Sequence, residues 1–345
     1  MSKWEKLART TIKDIARQLN INPSTVSRAL HNHPDVSVLV KENVKALAAK
    51  LGYRPNYLAV NLRKGKSLTI GLIIPEISMF FFPSVIKAVE EEARARGYNL
   101  LVLHSNDSID REIENAEICV QAGVDGILVS LTRQSKEIEH FQDLSNADIP
   151  VVYFDKVLLN INSHKVIIPG EQAAFIAVQK LISQKRGIKK IYGLFGDPQL
   201  SITNDRVEGF KKALIENGHK ENIENILYAI STTEASIRFT ELWEKNKPDA
   251  LFIMSDEILA GVIQSVNTLN LNIPGDISVI SLSDGFLPSI ISFDFPYIKT
   301  SGYTLGKTAS VLLFNLISRM PIAPDTHFID IPYYESKREE KIKKD

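Results

Sequence analysis

Residues 23–30 combine side chains that can hydrogen bond to the edges of nucleic-acid bases. Val26, Ala29 and Leu30 recur at helical spacing and form an apolar stripe. The opposite face carries four outward residues near its N-terminal end: Pro23, Ser24, Ser27 and Arg28. A guanidinium can donate two parallel hydrogen bonds to a guanine, whereas a serine hydroxyl bonds many base edges and discriminates weakly. This face therefore predicts DNA reading, with Arg28 as the principal base contact.

A shorter apolar pattern just before this segment predicts a helix that would position it. Thr11 can cap that first helix, and Asp14, three residues later, supplies the acidic half of a capping box. Its apolar face is formed by Ile12, Ile15, Ala16 and Leu19. Residues 20–22 make the turn, and Asn22 followed by Pro23 begins the second helix. Two short helices around a three-residue turn are typical of a DNA-binding helix-turn-helix, and an ordinary helical hairpin is the alternative.

The charge of the chain is divided between its two ends. Residues 1–66 hold 13 Lys and Arg against 4 Asp and Glu, and the rest holds 28 against 37, although the whole chain is neutral. A basic head on an acidic body indicates a polyanionic partner for the head alone. A solvated surface charge run would not explain so complete a segregation.

Several classes of protein are disfavoured by what the sequence lacks. Cys119 is the only cysteine and has apolar neighbours, which favours a buried structural thiol in a reducing compartment. His31-Asn32-His33 has no acidic or cysteine partner nearby, so a loop is preferred to a nuclease or metal site. A lysine-containing phosphate loop is also missing. We therefore expect the protein not to be an enzyme and to need neither a cofactor nor a metal. Because the sequence has neither a leader-like start nor an apolar run long enough to span a membrane, we expect a cytoplasmic protein.

The remaining chain predicts one more helix of the head and then a larger domain. Ser37 can cap a helix that runs through Leu51 and ends at Gly52. From Leu68 onward, apolar runs of strand length alternate with amphipathic helical segments, as at 68–74, 99–104, 126–130 and 151–154. Such runs indicate parallel sheets covered by helices on both faces. Nine or more strands over about 270 residues exceed one core, so we expect two sheets.

These motifs resemble those of the lactose-repressor/galactose-repressor (LacI/GalR) family. The resemblance rests on Thr11–Leu30 with its Thr-Val-Ser-Arg-Ala-Leu end, on Tyr53-Arg54-Pro55-Asn56, and on Ile70-Gly71-Leu72-Ile73-Ile74-Pro75 in the same order. The head motif is specific to the family. The core motifs are individually weak, and they support the resemblance mainly because they occur in the family's order along the chain. The family implies a transcriptional regulator, a repressor of carbohydrate-utilisation genes, that binds a palindromic operator as a homodimer. No terminal heptad run supports a tetramer.

The resemblance also implies which residues contact DNA. Pro23, Ser24 and Arg28 match the family's base-approaching positions, and Thr11, Ser27 and Asn32 suit phosphate contacts, which position without specifying. Leu62 matches the leucine of a hinge helix that forms on the operator and enters the minor groove; its alternative role is to anchor the linker. The full expected set is Thr11, Pro23, Ser24, Thr25, Ser27, Arg28, Asn32, Asn56 and Leu62.

The resemblance further implies a two-lobed core like a periplasmic sugar-binding protein, with three crossings, which we place near Val166, Phe293 and Ile322. The expected domains are residues 1–55 for the helix-turn-helix head, 56–66 for the hinge, 67–336 for the core and 337–345 for a charged tail. Within the core, the first lobe is expected at 67–166 and 294–322, and the second at 167–293 and 323–336. Helix 84–96 is the candidate dimer face.

A small polar, sugar-like effector is expected between the lobes, because ligands bind at the carboxyl ends of parallel strands. Eight residues are candidates for contacting it: Phe81, Phe82, Asp155, Arg206, Ser255, Asp256, Ser283 and Asp284. Arg206 matches the family's effector-binding arginine. Phe81 and Phe82, in an expected loop, could stack on a sugar ring or cap helix packing. Lobe-closing hydrogen bonds or helix caps are the alternative for the polar set, and the preferred one for Asp256.

Some positions depart from the family pattern. Pro169-Gly170 replaces polar residues that usually face the cleft, Ser283 stands where many relatives have an aspartate, and residues 293–297 are unusual. These changes leave open a regulator with an altered or ligand-unresponsive core. A sugar-binding protein without a transcriptional role is the other alternative, but it gives no reason for the basic head.

Overall fold

The structure is a computed structural model that describes residues 10–53, 66–77, 81–146, 148–158, 160–184 and 187–335. The chain divides into two compact units, residues 1–67 and residues 68–345. The expected hinge, including Asn56 and Leu62, and the charged tail at 337–345 lie outside the described residues. No described helix has the length and apolar character needed to cross a bilayer.

The first unit is a three-helix head. Helices α1 (Ile12–Leu19), α2 (Pro23–Leu30) and α3 (Val38–Lys50) bury a small core that includes Ile15, Val26 and Val44. Thr11 and Asp14 form the expected capping box, whereas Asn22 and Ser37 occupy N-cap positions without a side-chain cap bond. The helix-turn-helix prediction is confirmed in its elements and in its apolar face.

The second unit contains two parallel α/β lobes. In chain order, the first lobe receives β1 (Thr69–Ile74), α4 (Phe81–Ala95), β2 (Asn99–His104), α5 (Ile109–Gln121), β3 (Ile127–Val129), α6 (Glu139–Asn146), β4 (Val151–Phe154) and β5 (His164–Ile167). Two late elements return to it, α12 (Gly302–Ile317) and β11 (Thr326–Phe328). Its strand order is β11-β5-β4-β3-β1-β2. Helices α4 and α12 cover one face of this sheet, and α5 and α6 cover the other.

The second lobe is built from the middle of the chain and two late strands. Its elements are α7 (Gly170–Gln184), β6 (Ile191–Phe195), α8 (Ser201–Glu216), β7 (Ile226–Tyr228), α9 (Thr232–Asn246), β8 (Ala250–Ile253), α10 (Asp256–Thr268), β9 (Ser278–Ser283), α11 (Phe286–Ile290), β10 (Tyr297–Lys299) and β12 (Tyr333–Tyr334). The strand order is β12-β10-β9-β8-β6-β7, and only the β10–β12 pair of this sheet is antiparallel. The two sheets confirm the expected fold class.

Two of the three predicted crossings lie at the wrong residues. The chain does not return to the first lobe near Phe293, because β10 still pairs with β9 in the second sheet. It does not leave the first lobe near Ile322, because β11 pairs with β5. The crossings therefore follow Lys299 and Phe328. These three-residue strands are too short to give an apolar period that can be recognised in a sequence.

The aromatic cluster after Pro75 also differs from expectation. Phe81 and Phe82 belong to the first turn of α4 and not to a loop, so the helix begins three residues before the predicted Ser84. Phe82 is buried and Phe81 packs against the same core. Cys119 lies on α5 beneath Gly71, fully buried, and its burial raises the thiol pKa to about 12. This confirms the structural role expected for Cys119.

Candidate functional site

The outward face of α2 is a polar surface on the head. Val26 and Ala29 are fully buried against α1 and α3, which turns the opposite side of the helix outward. On that side Pro23, Ser24 and Arg28 are exposed. The Arg28 guanidinium is therefore accessible to a base edge, as its predicted role requires.

The other predicted DNA contacts are more constrained. Ser27 and Thr25 are only half-exposed. The Thr11 hydroxyl donates to Asp14 Oδ2 over 2.7 Å and accepts from the Asp14 backbone N–H over 3.3 Å. These bonds lower the pKa of Asp14. Asn32, at φ +56°, accepts a 2.6 Å hydrogen bond from Lys45 Nζ. A phosphate contact from Thr11 or Asn32 would have to share or replace these partners.

A cavity of about 210 Å³ lies between the two lobes of the core. It is formed where the carboxyl ends of the parallel strands of both sheets face each other, as expected for this architecture. Seven of the eight predicted effector residues line it: Phe81, Phe82, Asp155, Arg206, Ser255, Asp256 and Asp284. Ser283 is buried behind the lining. Most of the residues predicted from strand ends thus line one cavity. That a ligand binds in this cavity stays a prediction.

Arg206 is the most deeply buried cation of this cavity. It is 5% exposed on α8, and its Nη1 donates a 3.0 Å hydrogen bond to the Met254 carbonyl at the end of β8. Its Nε has no hydrogen-bond partner among the described residues. Burial lowers the Arg206 pKa to about 10, against the opposing charges of Asp155 and Asp205. A buried donor without a partner is costly, so this N–H is suited to an acceptor on a ligand.

Asp155 follows β4 and faces the same cavity. Its backbone is left-handed, at φ +59°, a conformation that Asp tolerates better than most residues. Burial raises the Asp155 pKa, although the charges of Lys156 and Arg206 act in the opposite direction. Its carboxylate accepts a long, 3.5 Å hydrogen bond from Ser130. Asp155 and Arg206 thus place a carboxylate and a guanidinium on the wall of one cavity, close enough for their charges to interact.

The polar residues at the ends of β8 and β9 are largely engaged within the protein. The Asp256 carboxylate accepts from Ser283 Oγ over 2.5 Å and from the Asp284 backbone N–H over 2.8 Å. Burial raises the Asp256 pKa to about 6. Ser255 caps α10 by accepting from the Ile258 N–H. These bonds are of the structural kind preferred for Asp256 in the sequence analysis.

Asp284 links the second lobe to the first. Its carboxylate accepts a 2.5 Å hydrogen bond from Ser84 Oγ on α4 and a 2.8 Å bond from the Gly302 N–H at the start of α12. Both donors belong to first-lobe helices. Asp284 is thus an interlobe connection, and an effector would have to bind beside this arrangement or rearrange it.

A second interlobe connection was missed at the sequence level. Arg133, after β3, bonds through Nε to Asp107 in its own lobe and through Nη1 to Asp197 Oδ2 of the second lobe over 2.7 Å. Burial alone would lower the Arg133 pKa, but these two carboxylates raise it. Each of the three residues follows a strand, so the strand-end rule that selected Asp155 could have selected them too. We call this trio the Arg133 bridge.

The chain was compared with known proteins. Residues 67–337 match the family model described as periplasmic binding proteins and sugar binding domain of LacI family, and residues 11–56 match that of bacterial regulatory proteins, lacI family. Catabolite control protein A of Priestia megaterium is 30% identical over 326 residues, which cover 94% of this chain and 96% of that protein. The ribose operon repressor of Halalkalibacterium halodurans is 29% identical, covering 94% of each.

Solved structures give the same fold. The lac repressor dimer bound to operator and the anti-inducer ONPF superimposes with a TM-score of 0.83 at 20% identity, covering 95% of this chain and 98% of that one. The complex of the regulator CelR with cellobiose gives 0.69 at 20% identity, covering 95% and 99%. Together, the two family models span both the head and the two-lobed core, and the relatives are transcriptional regulators. The chain therefore belongs to the LacI family of DNA-binding transcriptional regulators.

Proposed function

We propose that this regulator binds a palindromic operator as a homodimer, represses carbohydrate-utilisation genes, and responds to a small polar effector in the interlobe cleft. The observation that carries the proposal is the presence, in one chain, of the exposed face of α2 and of a cleft with a buried Arg206 N–H that has no hydrogen-bond partner in the described part of the chain. A three-helix head alone offers a small interface, so two heads on one palindrome would supply the affinity and specificity.

Control of DNA binding would follow from movement of the two lobes. The bonds of Arg133 and Asp284 across the cleft join elements that a bound ligand would also contact. A ligand that favours one interlobe arrangement would change the first-lobe surface, including helix α4, through which a dimer could pair. Thermodynamic linkage requires that a ligand that weakens operator binding is itself bound less tightly by the DNA complex.

The DNA half of the proposal is tested by Arg28→Ala in a binding-site selection on random duplexes. We expect relaxed base preference at one position of each half-site, with a loss of about 1–3 kcal/mol on the selected operator. Lys50→Ala is the matched control, because it removes an exposed charge from the last turn of α3. An Arg28→Ala protein with the parent's base preference would contradict the assigned role.

The hinge is tested separately. Leu62→Ala should weaken operator binding strongly while leaving binding to random DNA almost unchanged, because only the specific complex would be kinked by the inserted side chain. Equal losses on both DNAs would rule out a wedge. Sedimentation velocity at micromolar concentration tests the dimer: a monomer that still binds the operator tightly would refute the paired mode.

A regulator with a ligand-unresponsive core is the second candidate. It is favoured by the bonds of Asp256 and Asp284, which already occupy acceptors that an effector would otherwise use. A thermal-shift screen of mono- and oligosaccharides and sugar phosphates, repeated with operator DNA, separates the two. A stabilising ligand whose effect is reduced by operator supports the responsive regulator, whereas operator binding unaffected by every compound supports the unresponsive one.

A further inference from the structure

The described lining of the interlobe cavity carries an excess of negative charge. Seven carboxyl groups face it, three from the first lobe and four from the second, against the three cations Arg133, Lys156 and Arg206. Burial in a cleft with low-dielectric walls concentrates the field of such an excess. The cavity therefore favours positively charged ligands. This deepens the proposed function, because it specifies the class of effector.

Arg133 could in principle bind a phosphate group, but its charge is already neutralised by two carboxylates. Arg133 shares its single charge between Asp107 and Asp197, whose side chains are 8% and 14% exposed. An incoming phosphate would have to displace a carboxylate from each side of the guanidinium or accept their repulsion. Arg133 therefore contributes no free positive charge to the cavity.

The helix end that opens on the cavity is likewise blocked for anions. Helix α10 begins at Asp256, and both Asp256 and Glu257 lie in its first turn. The unpaired N–H groups and positive end of a helix attract anions, but here the first turn itself carries two carboxyl groups, and Ser255 Oγ already accepts from the Ile258 N–H. A phosphate group would meet two negative charges where other proteins offer free amides.

Glu76 and Glu257 approach the cavity from opposite lobes. Glu76 follows β1 and Glu257 belongs to α10, and both line the cavity with exposed side chains. Partial desolvation by the cleft and the charge of Glu76 raise the Glu257 pKa, while the charge of Lys156 acts in the opposite direction. The two carboxylates therefore repel each other across the cleft, and Lys156 offsets this repulsion only in part. A cation placed between them would replace this repulsion by two attractions, and would thereby favour closure of the lobes.

A second, independent feature shows what else the ligand must offer. Arg206 is 5% exposed, lines the cavity, and has an Nε–H with no partner among the described residues. This N–H requires an acceptor oxygen, such as a hydroxyl or a ring oxygen of a ligand. Phe81 at the cavity wall offers a surface for the apolar face of a ring.

We propose that the cleft selects a hydroxylated, amine-bearing ligand of the amino-sugar type, with its ammonium group between Glu76 and Glu257 and an oxygen on Arg206, and that it rejects sugar phosphates. The inference rests on the proposed function, since it assumes that an effector binds between the lobes. This proposal is more specific than sugar binding in general, because it predicts different affinities for sugars that have the same ring but differ in charge.

The test uses the full-length chain and matched sugars at a slightly acidic pH, at which the amine is protonated. Binding of glucose, glucosamine, N-acetylglucosamine and glucose 6-phosphate, and of the corresponding galactose and mannose series, is measured by calorimetry. In at least one series we expect the amine to bind about tenfold more tightly than the neutral sugar, with the phosphate weakest, because two largely exposed carboxylates each contribute a few-fold. N-acetylation should remove the advantage.

Two substitutions then test whether Glu76 and Glu257 cause the preference for the amine. Glu76→Gln and Glu257→Gln, alone and together, should bring the amine and the neutral sugar within about twofold of each other, since their carboxylates supply the preference. Glu244→Gln, exposed on α9, is the matched control and should retain the parent's preference. The unliganded melting temperature of each variant checks that it is folded.

Each outcome bears on one claim. Tighter binding of a phosphate, equal binding of amine and neutral sugar, or a preference that survives the double substitution would overturn the charge inference while leaving a sugar-responsive regulator intact. If no sugar of any series binds, both this inference and the sugar-type effector of the proposed function fall. The DNA-binding half stands on the Arg28 experiment and is unaffected.

Discussion

The Arg133 bridge predicts how strongly the two lobes are held together without a ligand. Arg133 Nη1 lies 2.7 Å from Asp197 Oδ2, and the Arg133 side chain is 35% exposed. A hydrogen bond between charged groups contributes about 1.5–3 kcal/mol when shielded, and exposed ion pairs contribute about 0.2–1 kcal/mol. For this partly exposed pair we expect about 1–1.5 kcal/mol, which is close to a tenfold change in the equilibrium between closed and open lobes.

The substitution is Arg133→Met, which keeps much of the side-chain stem and removes the charge. Spin labels at Glu117 on α5 and Glu216 on α8, both exposed, would report the interlobe distance in a Cys119→Ala background. We expect a larger open population in Arg133→Met and a similar shift in Asp197→Asn. Because both act through one contact, the double variant should shift little further than either single variant.

The matched control is Arg94→Met. Arg94 is 80% exposed and pairs with Glu90 inside α4, so its loss changes the charge of the same lobe without touching the cleft. A distance distribution in Arg133→Met identical to those of the parent and of Arg94→Met would refute the bridge. Full additivity of Arg133→Met and Asp197→Asn would show that each acts through different contacts.

Three further outcomes follow from local geometry. Thr11→Ala removes the capping box with Asp14 and should destabilise the head by about 1 kcal/mol, seen as faster amide exchange in α1; unchanged exchange would contradict this. Gly209→Ala places a Cβ 2.0 Å from the Glu171 carbonyl oxygen, so α7 and α8 must separate, at a cost of at least about 2 kcal/mol in chemical denaturation. Asp256 has a pKa of about 6 in the folded protein against 3.8 for the free side chain, so it binds its proton more tightly when folded. The free energy of unfolding should therefore rise as pH falls from about 7 to about 4, by no more than about 3 kcal/mol from this group. Asp256→Asn should lose that rise.

The parts of the fold that were predictable are those with strong local patterns. Strands Asn99–His104 and Val151–Phe154 were predicted with their observed bounds, because each contains a continuous apolar run with clear local limits. Asn99 and His104 enclose the first run, and Pro150 and Asp155 enclose the second. The three-residue strands Tyr297–Lys299 and Thr326–Phe328 have no such run, and the sheet of each is decided by its partner. Tyr297–Lys299 pairs with β9 of the second sheet, whereas Thr326–Phe328 pairs with β5 of the first sheet, more than a hundred residues earlier in the chain. The positions of the crossings were wrong for this reason.

The cleft shows the same division. Asp155 was found because a strand end predicts a position at the cavity, and Arg206 because it matches the family's effector-binding arginine. The same strand-end rule could have selected Arg133, Asp107 and Asp197, but it gives no information about which charged side chains meet across two lobes, so the connection between them was not predicted. For Asp284, the sequence indicated the place, whereas only the arrangement of α4 and α12 reveals that its carboxylate joins the lobes.

The return of α12 and β11 to the first lobe has a consequence for the newly made chain. Helix α12 covers one face of the first sheet and β11 forms its edge, yet both are encoded after the whole second-lobe helical layer. During translation, the first lobe must wait on the ribosome with an uncovered apolar surface until residue 328 has emerged. Domains generally fold as units from the N-terminus, and such exposed intermediates aggregate. We therefore expect nascent chains halted before α12 to depend on chaperones, and only nearly complete chains to resist protease.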